Sequence, residues 1–284
     1  MGKAGKTRTD GLTSGDILAL DKFTLVVITR CNLRCRLCCE YVPQHRAYPD
    51  MTVEECQALC QALFGTIDRV GTLHLSGGGE PFLHPRLADL VGVCMGHSNS
   101  FDSLMLFTNC TIQPQAPLLD ALARFKDKMV VQVSCYGQKK EQEASILATL
   151  EATGVPLKVE RYYGDHQPFG GWVDFGGWDA HPRTDLELGR IFSSCAVTRD
   201  MQGNWRTRDG KAHWCSRSQR GMELGLMPDS PQDYIDLLND SPVDAKRAKF
   251  RQIAAAQYLT ACRHCSGDQG TSDPARRYPA AEQM

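Results

Sequence analysis

Two groups of cysteines in this sequence have types and spacings that could do chemistry. In the first, Arg30-Cys31-Asn32-Leu33-Arg34-Cys35-Arg36-Leu37-Cys38 sets three thiols at C-x3-C-x2-C. Three thiolates on one short loop can hold three irons of a 4Fe–4S cube, which ordinarily takes four cysteines. The missing fourth ligand leaves one iron open, as a catalytic metal site keeps an exchangeable position. Arg30, Arg34 and Arg36 would offset the charge of such a cluster if they point inward. Zinc prefers four closed ligands in paired C-x2-C knuckles, which this run is not. Cys39, next in the chain, reads as a buried small hydrophobe.

The second group is Cys195, Cys215, Cys262 and Cys265, with four residues between Gly210 and Cys215, and with Cys262-Arg263-His264-Cys265 forming a C-x2-C knuckle. A hairpin with a glycine turn would bring the first two thiols together, and an intervening helix would return the knuckle to them. Four thiolates make a closed site that suits zinc and a fully ligated iron–sulfur cluster equally. Other cysteines read as packing. Cys56 and Cys60 fall on the apolar stripe of a helix, and Cys94 sits with Leu87, Leu90 and Val91.

The elements that must position these thiols follow from hydrophobic periodicity. Strand patterns at residues 23–29, 72–76, 104–108, 129–134 and 156–160 alternate with helical patterns at 52–69, 85–97, 115–126 and 139–153. Thr52 with Glu55 predicts a capping box at the first helix. The alternation predicts an α/β fold with a parallel sheet and right-handed crossovers, where chemistry belongs at the C-terminal ends of the strands. Those ends carry the first cysteines, then Gly77-Gly78-Gly79-Glu80-Pro81, Asn109-Cys110-Thr111, Ser134-Cys135-Tyr136 and Arg161. Polar and reactive groups thus collect on one rim. A further strand is expected at 172–175 and a helix at 243–258, while His74 reads as a buried, hydrogen-bonded histidine. Trp172, Trp178 and Trp205 read as packing, and His213 and His264 as neighbours of the second cysteine group.

The chain has 284 residues, Lys+Arg 32 against Asp+Glu 33, and 42% hydrophobic residues. This near-neutral balance gives no electrostatic footprint for nucleic acid or an anionic membrane. No apolar run approaches the ~18 residues that would span a bilayer, and no signal peptide is evident. Grouped cysteines then point to a reducing, cytoplasmic setting. The expected organisation is an arm over 1–22, a catalytic core over 23–185, a second cysteine region over 186–265 and a frayed tail over 266–284.

C-x3-C-x2-C after the first strand, followed by Gly78-Gly79-Glu80-Pro81 after the second, resembles the radical S-adenosylmethionine (SAM) superfamily. The resemblance implies a partial (β/α)6 TIM-type barrel in which Cys31, Cys35 and Cys38 hold a 4Fe–4S cluster with one open iron. It also implies that Gly78, Gly79 and Glu80 meet the SAM amino group, and that Asn109 and Ser134 approach SAM. Arg161 could pair with the SAM carboxylate or an anionic substrate group. Two departures stand out: Leu37 replaces a frequent aromatic, and Thr108-Asn109-Cys110 replaces a frequent Thr-Asn-Gly. The second cysteine group is similar to the twitch extension of such enzymes, a SPASM-like but shorter unit, which implies one auxiliary 4Fe–4S cluster on Cys195, Cys215, Cys262 and Cys265.

The first-ranked reaction is oxidation of a carbohydrate or aminocyclitol, with a flavodoxin or ferredoxin-type reductant. Epimerisation is the second, with Cys135 or Cys110 as the catalytic hydrogen donor. Peptide maturation is the third, and a zinc-binding interaction module is the non-enzymatic alternative.

Overall fold

The computed structural model describes residues 17–44, 46–76, 78–164, 172–268 and 278–284. Most of the expected arm, Gly77 and part of the expected tail therefore lie outside the described residues. Five strands, β1 (Ala19–Val26), β2 (Arg69–Ser76), β3 (Phe101–Thr108), β4 (Met129–Cys135) and β5 (Leu157–Arg161), lie side by side in parallel. Each crossover between them carries a helix: α1 (Val53–Thr66), α2 (Leu87–Met95), α3 (Ala116–Arg124) and α4 (Lys140–Glu151). Beyond them come α5 (Asp185–Ser194), α6 (Ala196–Arg199), β6 (Arg206–Thr207), β7 (Lys211–His213), α7 (Ser216–Glu223), β8 (Tyr234–Asp236) and α8 (Val243–Ala254).

The sheet order is β5-β4-β3-β2-β1-β6-β7-β8. The short β6 joins β1 in parallel, and β7 and β8 follow antiparallel. The sheet is open, an α/β partial barrel whose sixth parallel strand comes from the second cysteine region. Residues 172–175 form no strand; only Val173 enters a bridge.

Strands β1 to β3 begin before their apolar runs do. Ala19 pairs with Arg69 and Val70 with Phe101, so polar residues such as Asp21, Arg69 and Asp102 join the ladder. A parallel neighbour satisfies their backbone groups, and that outweighs the local pattern. The core lies along the strands, where Leu25, Leu73, Leu75, Leu104, Leu106, Val131 and Val133 are fully buried. Each such side chain contributes ~1.5–3 kcal/mol by leaving water. On α1, Cys56, Leu59, Cys60 and Leu63 face inward, and the Thr52–Glu55 capping box forms as expected. Among the described residues no helix is long and apolar enough to cross a membrane.

Candidate active site

After β1 the chain is pinned before it reaches the cysteines. Thr29 Oγ1 accepts the Tyr48 N–H at 2.7 Å, and Arg30 forms an ion pair with Asp50. The loop then delivers Cys31, Cys35 and Cys38 to the wall of a cavity of about 260 Å³. Burial pushes the Cys31 thiol up to about 11 and the Cys35 thiol up to about 12. Such thiols ionise when a cation takes the proton's place, so cation binding here would release protons. The sulfurs already receive donors: Leu33 N–H at 3.4 Å and Asn109 Nδ2 at 3.7 Å reach Cys31. Three thiols on one wall, with donors aimed at sulfur, fit a cluster with three protein ligands.

The loop after β2 forms the neighbouring wall with Gly78, Gly79 and Glu80. A Cβ on Gly78 would lie 2.1 Å from the Ile28 carbonyl oxygen, and one on Gly79 would lie 1.6 Å from that of Arg30. The glycines are therefore demanded by the backbone leading to Cys31. Gly79 N–H donates to Ile28 O and Glu80 N–H to Arg30 O, both at 2.8 Å. Glu80 is 2% exposed, and its carboxylate accepts from Phe82 N–H (3.0 Å), Thr108 Oγ1 (2.9 Å) and Asn109 N–H (2.6 Å). Burial nonetheless pushes its carboxyl up to about 7, against these hydrogen bonds. A carboxylate offers about four lone-pair sites, so one remains for a cationic ligand. Asn109 and Ser134 line the same cavity.

Three expected site residues are not brought to it. Cys110 is fully buried and Cys135 is 1% exposed; they adjoin each other beneath the rim, and neither lines the cavity. Cys110 has a left-handed backbone (φ 58°), the conformation glycine adopts most easily. Arg161 stands exposed at the end of β5, away from the cavity lining.

Other residues enter against the sequence-based expectation. Cys39 is an exposed residue at a turn of the chain and lines the cavity. Trp172 lines the cavity, its ring edge-on to Tyr136 at 5.9 Å. Glu40, also on the wall, is gripped by Arg206 of β6 through two 2.6 Å hydrogen bonds, and Gln219 orients that guanidinium. The Glu–Arg pair is legible only once β6 is known to join β1. Residues 281–284, expected as frayed tail, instead pair with the cysteine loop through an antiparallel Cys35–Gln283 bridge.

A second cavity is lined by all of Cys195, Cys215, Cys262 and Cys265. Cys195 lies at the junction of α5 and α6 and Cys215 caps α7, while Cys262 lies within a short 3-10 turn at Thr260–His264 and Cys265 follows it. The β6–β7 hairpin turns at Gly210 (φ 99°) and carries the chain to Cys215. Ser218 N–H reaches Cys215 Sγ at 3.5 Å and Gly267 N–H reaches Cys265 Sγ at 3.2 Å. Burial pushes Cys215 up to about 12. His213 and His264 are buried nearby, hydrogen-bonded to Ser218 Oγ and to the Trp178 carbonyl. Elsewhere, the Cys56, Cys60 and Cys94 sulfurs lie within 4.8 Å of one another between α1 and α2, all fully buried in the core.

No family model matches the chain, and no curated protein sequence matches it. Solved structures do resemble it. BtrN in complex with AdoMet and 2-DOIA aligns at TM-score 0.52 and 14% identity, over 93% of this chain and 98% of that one. Native anSMEcpe with bound AdoMet aligns at 0.52 and 13%, over 90% of this chain and 92% of that one. The same protein with bound AdoMet and Cp18Cys peptide aligns at 0.53 and 12%, over 90% of this chain and 91% of that one. At these identities the likeness establishes the fold, an open α/β barrel that in both proteins is seen with AdoMet.

Proposed function

We propose that this protein is a radical SAM enzyme that oxidises a small polar substrate, a carbohydrate or aminocyclitol. The observation that carries this reading is the single cavity in which Cys31, Cys35 and Cys38 adjoin Gly78, Gly79 and Glu80. With a 4Fe–4S cluster and SAM bound, the chemistry supplied is reductive cleavage of SAM to methionine and a 5′-deoxyadenosyl radical. Cys31, Cys35 and Cys38 hold the cluster; Glu80 receives the SAM ammonium, and Asn109 and Ser134 lie alongside. The electron comes from a flavodoxin or ferredoxin-type reductant, and the setting is the cytoplasm.

Among the described lining residues there is no Lys, Arg or His, the Glu40 carboxylate is paired with Arg206, and Ser76 and Tyr136 offer hydroxyls. That wall suits a neutral or amine-bearing polyol and gives a phosphorylated one no cationic partner. In the oxidation, the carbinol carbon gives up a hydrogen atom. Its hydroxyl then loses a proton and the radical loses one electron, leaving a ketone. The four-cysteine cavity is assigned to an auxiliary 4Fe–4S cluster as electron acceptor. BtrN, seen with AdoMet and 2-DOIA, supports this reading, and the peptide complex of anSMEcpe supports peptide maturation as the competitor.

One observation favours a second reaction. Cys39 lines the cavity, so a redox-neutral epimerisation would have a candidate hydrogen donor there, whereas Cys110 and Cys135 are buried and do not line it. The test is anaerobic turnover of the reconstituted protein with aminocyclitols, sugars and peptides. Ketone and 5′-deoxyadenosine formed one to one from a polyol support oxidation. Turnover of peptides alone would overturn the substrate class.

A further inference from the structure

Residues 281–284 lie almost the whole chain away from the first cysteine loop, yet they complete it. Arg36 N–H donates to Glu282 O at 2.8 Å and Met284 N–H to Arg34 O at 2.9 Å, an antiparallel pairing across Cys35. Ala281 is 3% exposed and packs with Leu33 and Cys35. Its backbone turns left-handed (φ 55°), which swings the segment onto the loop. Gln138 Nε2, from the loop between β4 and α4, donates to the Ala281 carbonyl at 3.4 Å.

The side chain of Gln283 points into this pairing with all its groups engaged. Its Oε1 accepts Arg34 N–H at 2.7 Å. Its Nε2 donates to Ala281 O at 2.6 Å and to Cys35 Sγ at 3.4 Å. The Arg34 N–H fixes which way the amide faces, because a flipped amide would set two donors against each other. The N–H groups of Gln283 are thus held toward the ligand sulfur. Cys31 receives its own donors from Leu33 and Asn109, and Gln283 performs that service for Cys35.

A donor to a ligand sulfur withdraws charge from it and favours the more negative, reduced state of a cluster, raising its reduction potential. We infer that Gln283 is a positioning residue that sets the reduction potential of the cluster held by Cys35, and that residues 281–284 buttress the loop that carries that cysteine. The inference rests on the reading of Cys31, Cys35 and Cys38 as cluster ligands. It adds a requirement that this reading does not contain: the reducibility of the cluster is governed by a residue 248 positions beyond the cysteine it touches.

The experiment is a potentiometric titration of the anaerobically reconstituted full-length protein, followed through the EPR signal that changes on addition of SAM. Gln283→Leu and Gln283→Glu are expected to retain the iron of wild type and to shift that midpoint to lower potential. Met284→Ala, which keeps the backbone pairing and alters an exposed side chain, is expected to match wild type. An unchanged midpoint in Gln283→Leu, an equal shift in Met284→Ala, or loss of iron from both Gln283 variants would each overturn the tuning role. A wild-type protein with no SAM-responsive cluster would remove the radical SAM reading itself, a different failure.

Discussion

The backbone N–H of Asn109 donates to Glu80 Oε2 at 2.6 Å, tying the loop after β3 to the loop after β2. Because Asn109 Nδ2 also reaches Cys31 Sγ at 3.7 Å, one residue links the proposed SAM-binding carboxylate to a proposed cluster ligand. The three loops that follow β1, β2 and β3 therefore act as one unit, and perturbing Glu80 reaches beyond its own charge.

Glu80→Gln removes the charge and keeps one carbonyl acceptor, so it tests the contact with the SAM ammonium at the cost of one of the hydrogen bonds that Glu80 accepts from Phe82, Thr108 and Asn109. A charge-assisted hydrogen bond of ~1.5–3 kcal/mol corresponds to roughly a 10- to 150-fold loss of SAM affinity. Iron content is expected to stay at the wild-type level. Wild-type affinity should itself depend on pH. The Glu80 carboxyl is raised to about 7, and only its ionised form attracts an ammonium. Affinity is therefore full above that pH and declines by up to about tenfold per unit below it. The sign for the ligand-free fold is opposite: the neutral carboxyl is the better-accommodated form, and its stabilising contribution is lost as pH rises from about 4.5 toward 7. Equilibrium SAM binding between pH 6 and 8 checks the first; an affinity independent of pH would remove Glu80 from the ammonium site.

Gly79→Ala places a Cβ 1.6 Å from the Arg30 carbonyl, which is backbone and cannot swing aside. The loop must lift, breaking the 2.8 Å bonds from Gly79 N–H to Ile28 O and from Glu80 N–H to Arg30 O. Overpacking of this kind costs ~1–3 kcal/mol. Thermal unfolding should shift down, and iron retention by the first cysteine loop should fall. Unchanged values for both would show that the glycine is required for ligand approach alone.

The C-x3-C-x2-C run, the glycine loop with Glu80 and the β–α alternation are legible in the sequence because each is local. Spacing and periodicity carry that information without tertiary contacts. Gln283 and Arg206 are not legible there, since their partners Cys35 and Glu40 lie 248 and 166 positions away. Only a bridge to the cysteine loop and the joining of β6 to β1 bring them in. Cys39 misleads for a related reason: a hydrophobic side chain beside a ligand reads as core, and only the folded chain shows it lining the cavity. Cys135 ends β4, where the pleat turns its side chain into the core, and Cys110 lies two residues past β3 in a left-handed turn that buries it.

Cys39 separates oxidation from epimerisation. In an epimerisation, Cys39→Ala should halt inverted product while SAM cleavage continues, and product formed in heavy water by wild type should carry deuterium at the reacting carbon. In an oxidation, Cys39→Ala leaves ketone formation near wild type. Cys135→Ala and Cys110→Ala are expected to affect folding stability more than either product, given their burial.

The second cavity is tested by Cys262→Ala combined with Cys265→Ala. Two cubes would bring iron to ~8 per chain after anaerobic reconstitution, and this variant should hold about half. Reductive SAM cleavage should persist in it, and ketone formation should stop. Zinc in place of the second half of the iron would reassign that cavity to a structural metal.

The most direct measurement is 5′-deoxyadenosine formed from SAM by the anaerobically reconstituted, dithionite-reduced protein, with and without Cys31, Cys35 and Cys38. Wild type is expected to release 5′-deoxyadenosine and methionine. The variant with all three cysteines changed to Ala is expected to release none while keeping about half the iron. Cleavage of SAM by that triple variant at the wild-type rate would contradict the assignment of these three residues and the radical SAM reading built on them.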